Sequence, residues 1–157
     1  MKAGQYFAIT TGVIFTTIGI LGFVSSFVTE PSVLPPYVAE IGASEGFGYL
    51  MGLFPINFAH NIVHLVVGGL GILAAISLDS SRLYAGLLAV FYGALTLLGL
   101  FPVSNTLFGL VPIYGYDVLL HGLTAIIAAY FGFIATPNLL ALFAQNREIA
   151  KQQNEAT

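Results

Sequence analysis

Cysteine and tryptophan are absent from this 157-residue chain, and charged residues make up only 7% of it. Without cysteine, disulfides, iron–sulfur clusters and zinc sites built on thiolates are excluded. Without tryptophan, tyrosine and phenylalanine must supply any aromatic belt at a membrane interface. Soluble domains carry about 25% charged residues, whereas this chain is 57% hydrophobic with a mean hydropathy of +0.93. The composition therefore predicts a membrane protein.

Familiar catalytic and nucleic-acid-binding motifs are missing as well. The sequence contains no glycine-rich phosphate loop, no nucleophile elbow, no HExxH motif and no basic patch for nucleic acid. Catalysis of the kind common in soluble enzymes is therefore unsupported. We expect a non-enzymatic protein that binds no nucleic acid.

Four apolar runs come close to the roughly 20 residues that a membrane-spanning helix needs. They cover about residues 6–28, 56–78, 83–101 and 114–135. Their length and continuity favour helices over the short alternating strands of a barrel. We expect one all-α domain over residues 1–157, namely a transmembrane four-helix bundle in contact with the lipid bilayer.

The segments outside the spans carry weaker signals. The tail, residues 136–157, is expected to begin with a short amphipathic helix, because Thr136 and Pro137 are typical of an N-cap and a first helical position. In the first external loop, about residues 29–55, a short interfacial helix or re-entrant turn and an ordered aromatic loop are both consistent with the pattern.

Positive charge falls on one side of the four-span arrangement. Lys2 precedes the first span, Arg82 lies between the second and third, and Arg147 and Lys151 follow the fourth. Cytoplasmic loops carry the excess of Lys and Arg, so both termini are expected in the cytoplasm. The first apolar run is too long for a signal peptide and no cleavage site follows it. We therefore expect an anchored, multi-pass membrane protein.

One thirteen-residue segment occurs twice. The sequence GLFPINFAHNIVH at 52–64 and the sequence GLVPIYGYDVLLH at 109–121 agree at five positions, which include the final histidine. This internal repeat predicts two helical hairpins related by an axis along the membrane normal. Spans two and four are diagonal in an up-down bundle, so His64 and His121 are expected to face each other at one depth.

Polar and small side chains share one face of spans two and four, since they recur at three- and four-residue steps. Polar groups prefer a bundle interior, and small residues let helices approach closely. The predicted polar cluster comprises Asn57, His60, Asn61, His64, Asp117 and His121. The predicted packing positions are Gly68, Gly71, Ala125, Ala128 and Gly132.

Four interpretations of the polar cluster remain open. Hydrogen bonds within it could fix the register of the bundle, which suits an accessory or scaffold subunit of a larger membrane complex or of a homo-oligomer. Alternatively, His64 and His121 could be axial ligands of haem or of chlorophyll-type pigments. His60, His64, Asp117 and His121 could instead relay protons or ions, or hold a divalent metal such as zinc. The accessory subunit is our first expectation.

The polar residues also support a family resemblance. The run Asn61-x-x-His64-Leu65-x-x-Gly68, followed one span later by Asp117-x-x-x-His121, resembles a family of small bacterial four-span membrane proteins catalogued only as a domain of unknown function. The resemblance covers about residues 49–135. It implies that these polar and small positions recur in the family and that the chain lies in a bacterial inner or thylakoid-like membrane. It implies no activity.

The expected topology can be tested because the chain has no cysteine of its own. Ser44→Cys lies in the predicted external loop and Ser80→Cys in the predicted cytoplasmic link. A membrane-impermeant maleimide should label the two variants from opposite sides of sealed vesicles. Labelling of both from the same side would contradict the four-span arrangement.

Overall fold

The computed structural model describes residues 1–35, 38, 44–135 and 138–155, and it is mostly helical. Its long helices are α1 (Ala3–Leu21), α2 (Phe58–Ala74), α3 (Leu78–Gly99), α4 (Tyr116–Ala129) and α5 (Leu139–Glu155). A π-helical turn, Tyr130–Ile134, continues α4. A single 3-10 turn, Ser25–Phe27, follows α1.

Among the described residues, three helices are long and apolar enough to cross a membrane: α1, α3, and α4 together with its π-helical turn. The fourth, α2, is equally apolar but has only 17 residues. Large apolar side chains on the outer faces of these helices are more than half exposed, as Val13, Val66, Val90 and Leu123 illustrate. Such faces are stable in lipid rather than in water. The chain is therefore a membrane protein whose helices contact the bilayer.

The boundary between the second and third apolar runs differs from the prediction. We expected Arg82 in a link between spans, but α3 already begins at Leu78, because Ser77 caps it by accepting a hydrogen bond from the Ser80 N–H at 3.1 Å. Arg82 therefore lies within α3 and is only 3% exposed. Its guanidinium donates a hydrogen bond to the carbonyl oxygen of Phe131.

A small antiparallel sheet, which an all-α fold lacks, lies just before α2. Its strands are β1 (Val28–Thr29), β2 (Gly48–Leu50) and β3 (Phe54–Ile56), in the order β1–β2–β3. Met51 and Gly52, in the turn between β2 and β3, have φ of 53° and 71°, a region that glycine adopts without steric cost. Residues 48–50 are thus a strand and not part of an interfacial helix.

The amphipathic C-terminal helix is present as α5, although its predicted cap at Thr136 and Pro137 lies outside the described residues. The side chain of Asn138 accepts a hydrogen bond from the Ala141 N–H at 2.9 Å, as an N-cap does. Lys151 and Glu148 form an exposed ion pair further along this helix.

Glycines bring α1 and α2 into close contact. A Cβ placed on Gly68 would lie 2.8 Å from the carbonyl oxygen of Gly12 and would overlap Thr16. A Cβ on Gly71 would lie 2.8 Å from the Cα of Gly12. Small residues permit such packing in lipid, where no hydrophobic force pushes helices together.

Hydrogen bonds at both ends show that α1 and α2 are antiparallel. Near the start of α1, Gln5 Nε2 donates to the carbonyl oxygen of Ala75 at 3.0 Å. Beyond the other end, Asn61 Nδ2 donates to the carbonyl oxygen of Gly22 at 2.8 Å. These bonds satisfy backbone groups at the helix ends, which would otherwise be costly within a membrane.

Similar close packing joins α3 to α4. A Cβ on Gly132, in the π-helical turn, would lie 2.7 Å from the backbone nitrogen of Gly86, whereas one on Gly93 would be in ordinary van der Waals contact with the Cβ of Ala125, at 4.0 Å. Ala128 is fully buried in the core between these helices and α1. Ala125, Ala128 and Gly132 therefore lie on the side of α4 and its π-helical turn that faces other helices.

The contribution of Gly68 can be measured against its neighbour Gly69, where an added Cβ would meet nothing within 4 Å. We expect Gly68→Ala to lower the free energy of unfolding by roughly 1–3 kcal/mol, because the methyl group overpacks the contact with α1. Gly69→Ala should raise it by roughly 0.5–1 kcal/mol, since alanine is the better helix former. Thermal unfolding in detergent, followed by circular dichroism, checks both. Equal effects of the two substitutions would contradict the close packing.

Candidate metal centre

Three histidines from two helices meet next to the sheet. His60 and His64 lie one turn apart on α2, and His121 lies on α4. One ring nitrogen from each histidine lies within 4.8 Å of those of the other two. All three side chains are at most 2% exposed. Three imidazoles that converge in this way are a common set of ligands for a metal ion.

Asp117 completes the cluster from one turn before His121 on α4. Its Oδ2 lies 3.5 Å from Nε2 of His60 and 3.8 Å from Nε2 of His121. The side chain is 1% exposed, and within the described part of the chain neither carboxylate oxygen has a hydrogen-bond partner. A buried carboxylate is costly unless a positive charge or a proton accompanies it.

The backbone of the sheet determines which nitrogen of His60 carries a proton. Nδ1 of His60 lies 3.2 Å from the carbonyl oxygen of Pro55, which belongs to β3. Because a carbonyl oxygen can only accept a hydrogen bond, Nδ1 is the donor. In the neutral imidazole, Nε2 is then an acceptor, and it faces the carboxylate of Asp117. Metal-bound histidines typically donate their second nitrogen to a carbonyl or carboxylate in the same way.

Aromatic rings, rather than hydrogen bonds, hold the other two histidines. The ring of His64 stacks on Phe15 at 5.5 Å and lies 4.4 Å from the ring of His60. The ring of His121 meets Tyr92 edge-on at 4.8 Å. Both nitrogens of His64 and both of His121 are buried and have no hydrogen-bond partner among the described residues. The imidazoles are thus held in place while their nitrogens remain available.

The two asparagines of the predicted polar cluster have a different role. Asn57 caps α2 by accepting a hydrogen bond from the His60 N–H at 2.8 Å, and its amide donates to the carbonyl oxygen of Leu110 at 2.8 Å. Asn61 bonds to the carbonyl oxygen of Gly22. Both side chains therefore satisfy the backbone and position α2. The predicted cluster therefore contains two asparagines that bond to the backbone, and three histidines and one aspartate whose side chains lie close together.

Sequence reasoning missed several groups that shape the centre. The repeat included Pro55, but gave no sign that its carbonyl oxygen would bond to His60, since that contact depends on β3. Phe15 and Tyr92 lie on α1 and α3, where the sequence shows apolar and small residues and no polar repeat. The sequence gives no signal for either residue, because the contacts of their rings with His64 and His121 depend on how the helices pack.

Comparison with known proteins places the chain in a family but gives no function. No curated protein and no solved structure is similar to it. A family model described as "Domain of unknown function (DUF4383)" matches residues 5–134. The match spans α1 to α4 and includes all three histidines and Asp117. Because it covers well over half of the sequence, the chain belongs to this family of unknown function.

Proposed function

We propose that this chain is a non-enzymatic membrane protein that binds a divalent transition-metal ion, with zinc as the best match, through His60, His64, His121 and Asp117. One observation carries the proposal: Nε2 of His60 and Oδ2 of Asp117 face each other at 3.5 Å inside the bundle. In the neutral imidazole both atoms are acceptors, because the single ring proton is used on Pro55. Two facing acceptors repel each other, whereas a cation between them would be bound by both.

The dimensions of the cluster support this ligand. Zinc binds histidine nitrogen and carboxylate oxygen at about 2.0–2.2 Å, which sets tetrahedral ligand atoms roughly 3.4 Å apart. The two distances to Asp117 are 3.5 and 3.8 Å, and the histidine nitrogens lie within 4.8 Å. The distances to Asp117 are thus close to the tetrahedral spacing, and the histidine nitrogens would have to move closer together around a bound ion.

The types of ligand limit which metals are expected to bind. Three imidazoles and one carboxylate suit zinc, whereas magnesium and calcium prefer oxygen ligands alone. Copper and other first-row metals also accept imidazole. Zinc is favoured because four-coordinate sites of histidine nitrogen and carboxylate oxygen are typical of it.

A macrocycle fits this arrangement less well than a single ion. A haem or chlorophyll between His64 and His121 needs a wide slot, but the ring of His60 lies 4.4 Å from the first and 6.1 Å from the second. The neighbouring cavity has a volume of about 220 Å³, below the roughly 300–1,000 Å³ of typical small-molecule sites.

A proton is the alternative occupant of the same position. If His60 is protonated at Nε2, it forms an ion pair with Asp117 at the observed 3.5 Å, and His121 at 3.8 Å could exchange that proton. This observation favours an ion or proton relay as the second candidate function. Metal analysis separates the two candidates, because a relay needs no bound ion.

We also propose the finer architecture: a four-span bundle of two repeat-related hairpins, with both termini in the cytoplasm of a bacterial cell. Equivalent contacts in the two hairpins support it, with offsets of 77 between α1 and α3 and 57 between α2 and α4. The Gly22–Asn61 contact of the first hairpin corresponds to Gly99–Val118 in the second. In the same way, Gly19–Leu65 corresponds to Thr96–Gly122, and Thr16–Gly68 corresponds to Gly93–Ala125. A role as accessory or scaffold subunit in a larger complex stays a prediction.

The metal proposal is tested on protein purified in detergent without chelators. We expect about one zinc ion per chain by mass spectrometry, and replacement by cobalt should give the visible spectrum of a tetrahedral site. His64→Asn and His64→Leu should both lose the ion, because neither side chain replaces an imidazole. Asp117→Asn should weaken binding by about 10-fold or more.

Asn61→Ala is the matched control, since Asn61 lies on the same face of α2 but bonds to backbone. It should keep the metal and lower the free energy of unfolding by about 0.5–1.5 kcal/mol. A wild-type protein that binds neither zinc nor cobalt would refute the metal site. If His64→Asn were then clearly more stable than His64→Leu, the hydrogen-bonded structural interpretation would be supported instead.

A further inference from the structure

A cavity of about 220 Å³ adjoins the ligand cluster. His64 and Asp117 form part of its wall, and both are at least 98% buried. The remaining wall is apolar and comes from α1, from the β2–β3 hairpin and from α4, including Ile18, Met51, Phe54 and Leu120. His64 and Asp117 therefore border an otherwise apolar chamber.

We infer that this chamber is a second binding site, in which a small monoanionic molecule with an apolar body coordinates the bound metal. The inference rests on the proposed metal function. A molecule in the chamber would approach the metal from the side of His64 and Asp117. Zinc can accept such a further ligand by expanding to five-coordination.

Charge determines the kind of donor atom. A divalent ion with three neutral imidazoles and one carboxylate keeps a net charge of about +1. Uncompensated charge is costly away from water, so a single negative donor such as a carboxylate, thiolate or phenolate completes the site. A dianion would reverse the imbalance, and a cation would increase it.

The lining and size of the chamber determine the rest of the ligand. An apolar cavity of about 150 Å³ holds benzene, so the larger volume here accommodates one aromatic ring together with its donor group. The wall outside His64 and Asp117 offers the ring apolar contacts and no hydrogen bonds. Burial of that ring adds affinity in proportion to the apolar area removed from water.

The test uses the cobalt-loaded protein and the probes benzoate and acetate, which share a donor group and differ in the apolar body. Titration of each probe is followed through the visible spectrum of cobalt. We expect both probes to change the spectrum, with benzoate binding at least about tenfold more tightly than acetate.

Two neighbouring leucines provide matched variants. Leu120 lines the chamber, whereas Leu119 is 61% exposed on the outer face of α4. Leu120→Phe should remove the preference for benzoate and keep cobalt and acetate binding. Leu119→Phe should change none of these. Ile18→Phe, which fills the same chamber from α1, replaces Leu120→Phe if that variant does not fold.

The outcomes separate this inference from the function on which it rests. If cobalt binds and neither probe alters its spectrum, the coordination shell is closed and the inference is wrong, although the metal site stands. Equal affinity for benzoate and acetate, or a preference that survives filling of the chamber, also overturns it. Failure to bind cobalt overturns the metal function and the inference together.

Discussion

The burial of Asp117 constrains the rest of the structure. A carboxylate held away from water inside a membrane bundle costs several kcal/mol unless a cation or a proton compensates it. Within the described part of the chain no group donates a hydrogen bond to it, and two histidine nitrogens lie 3.5 and 3.8 Å from its Oδ2. The hydrogen bond from His60 to the Pro55 carbonyl directs one of those nitrogens at the carboxylate as an acceptor. Through this hydrogen bond, the small sheet determines which nitrogen of His60 carries the proton in the helical core.

Helical periodicity explains why the site could be predicted as well as it was. A step of three or four residues fixes which side chains share a face, so His60 and His64 were expected together, as were Asp117 and His121. The offset of 57 then matched the two faces. The sequence could not predict which polar side chains bond to the backbone and which lie close together, because Asn and His both count as polar residues in a helical pattern. Asn61 bonds to Gly22 only because α1 ends beside it.

The parts of the fold that escaped prediction depend on contacts between distant residues. The strand at Gly48–Leu50 forms only because Val28–Thr29 and Phe54–Ile56 lie on either side of it. Likewise, Arg82 was predicted to lie in a loop, but Ser77 caps α3 and the helix therefore begins at Leu78, before Arg82. Its charge is accommodated by the Phe131 carbonyl in the π-helical turn, a partner 49 residues away that no local pattern indicates.

The position of the cluster between the two helix pairs gives a bound ion a structural consequence. α2 packs mainly against α1, and α4 mainly against α3. Two ligands come from α2 and two from α4, so a metal would bridge helices that otherwise have little contact with each other. Binding to the folded state alone stabilises a protein by RT ln(1 + [L]/Kd), and the ligand groups are brought together only when both pairs are assembled. If the proposed metal binds, its binding and the association of the two helix pairs are therefore thermodynamically linked.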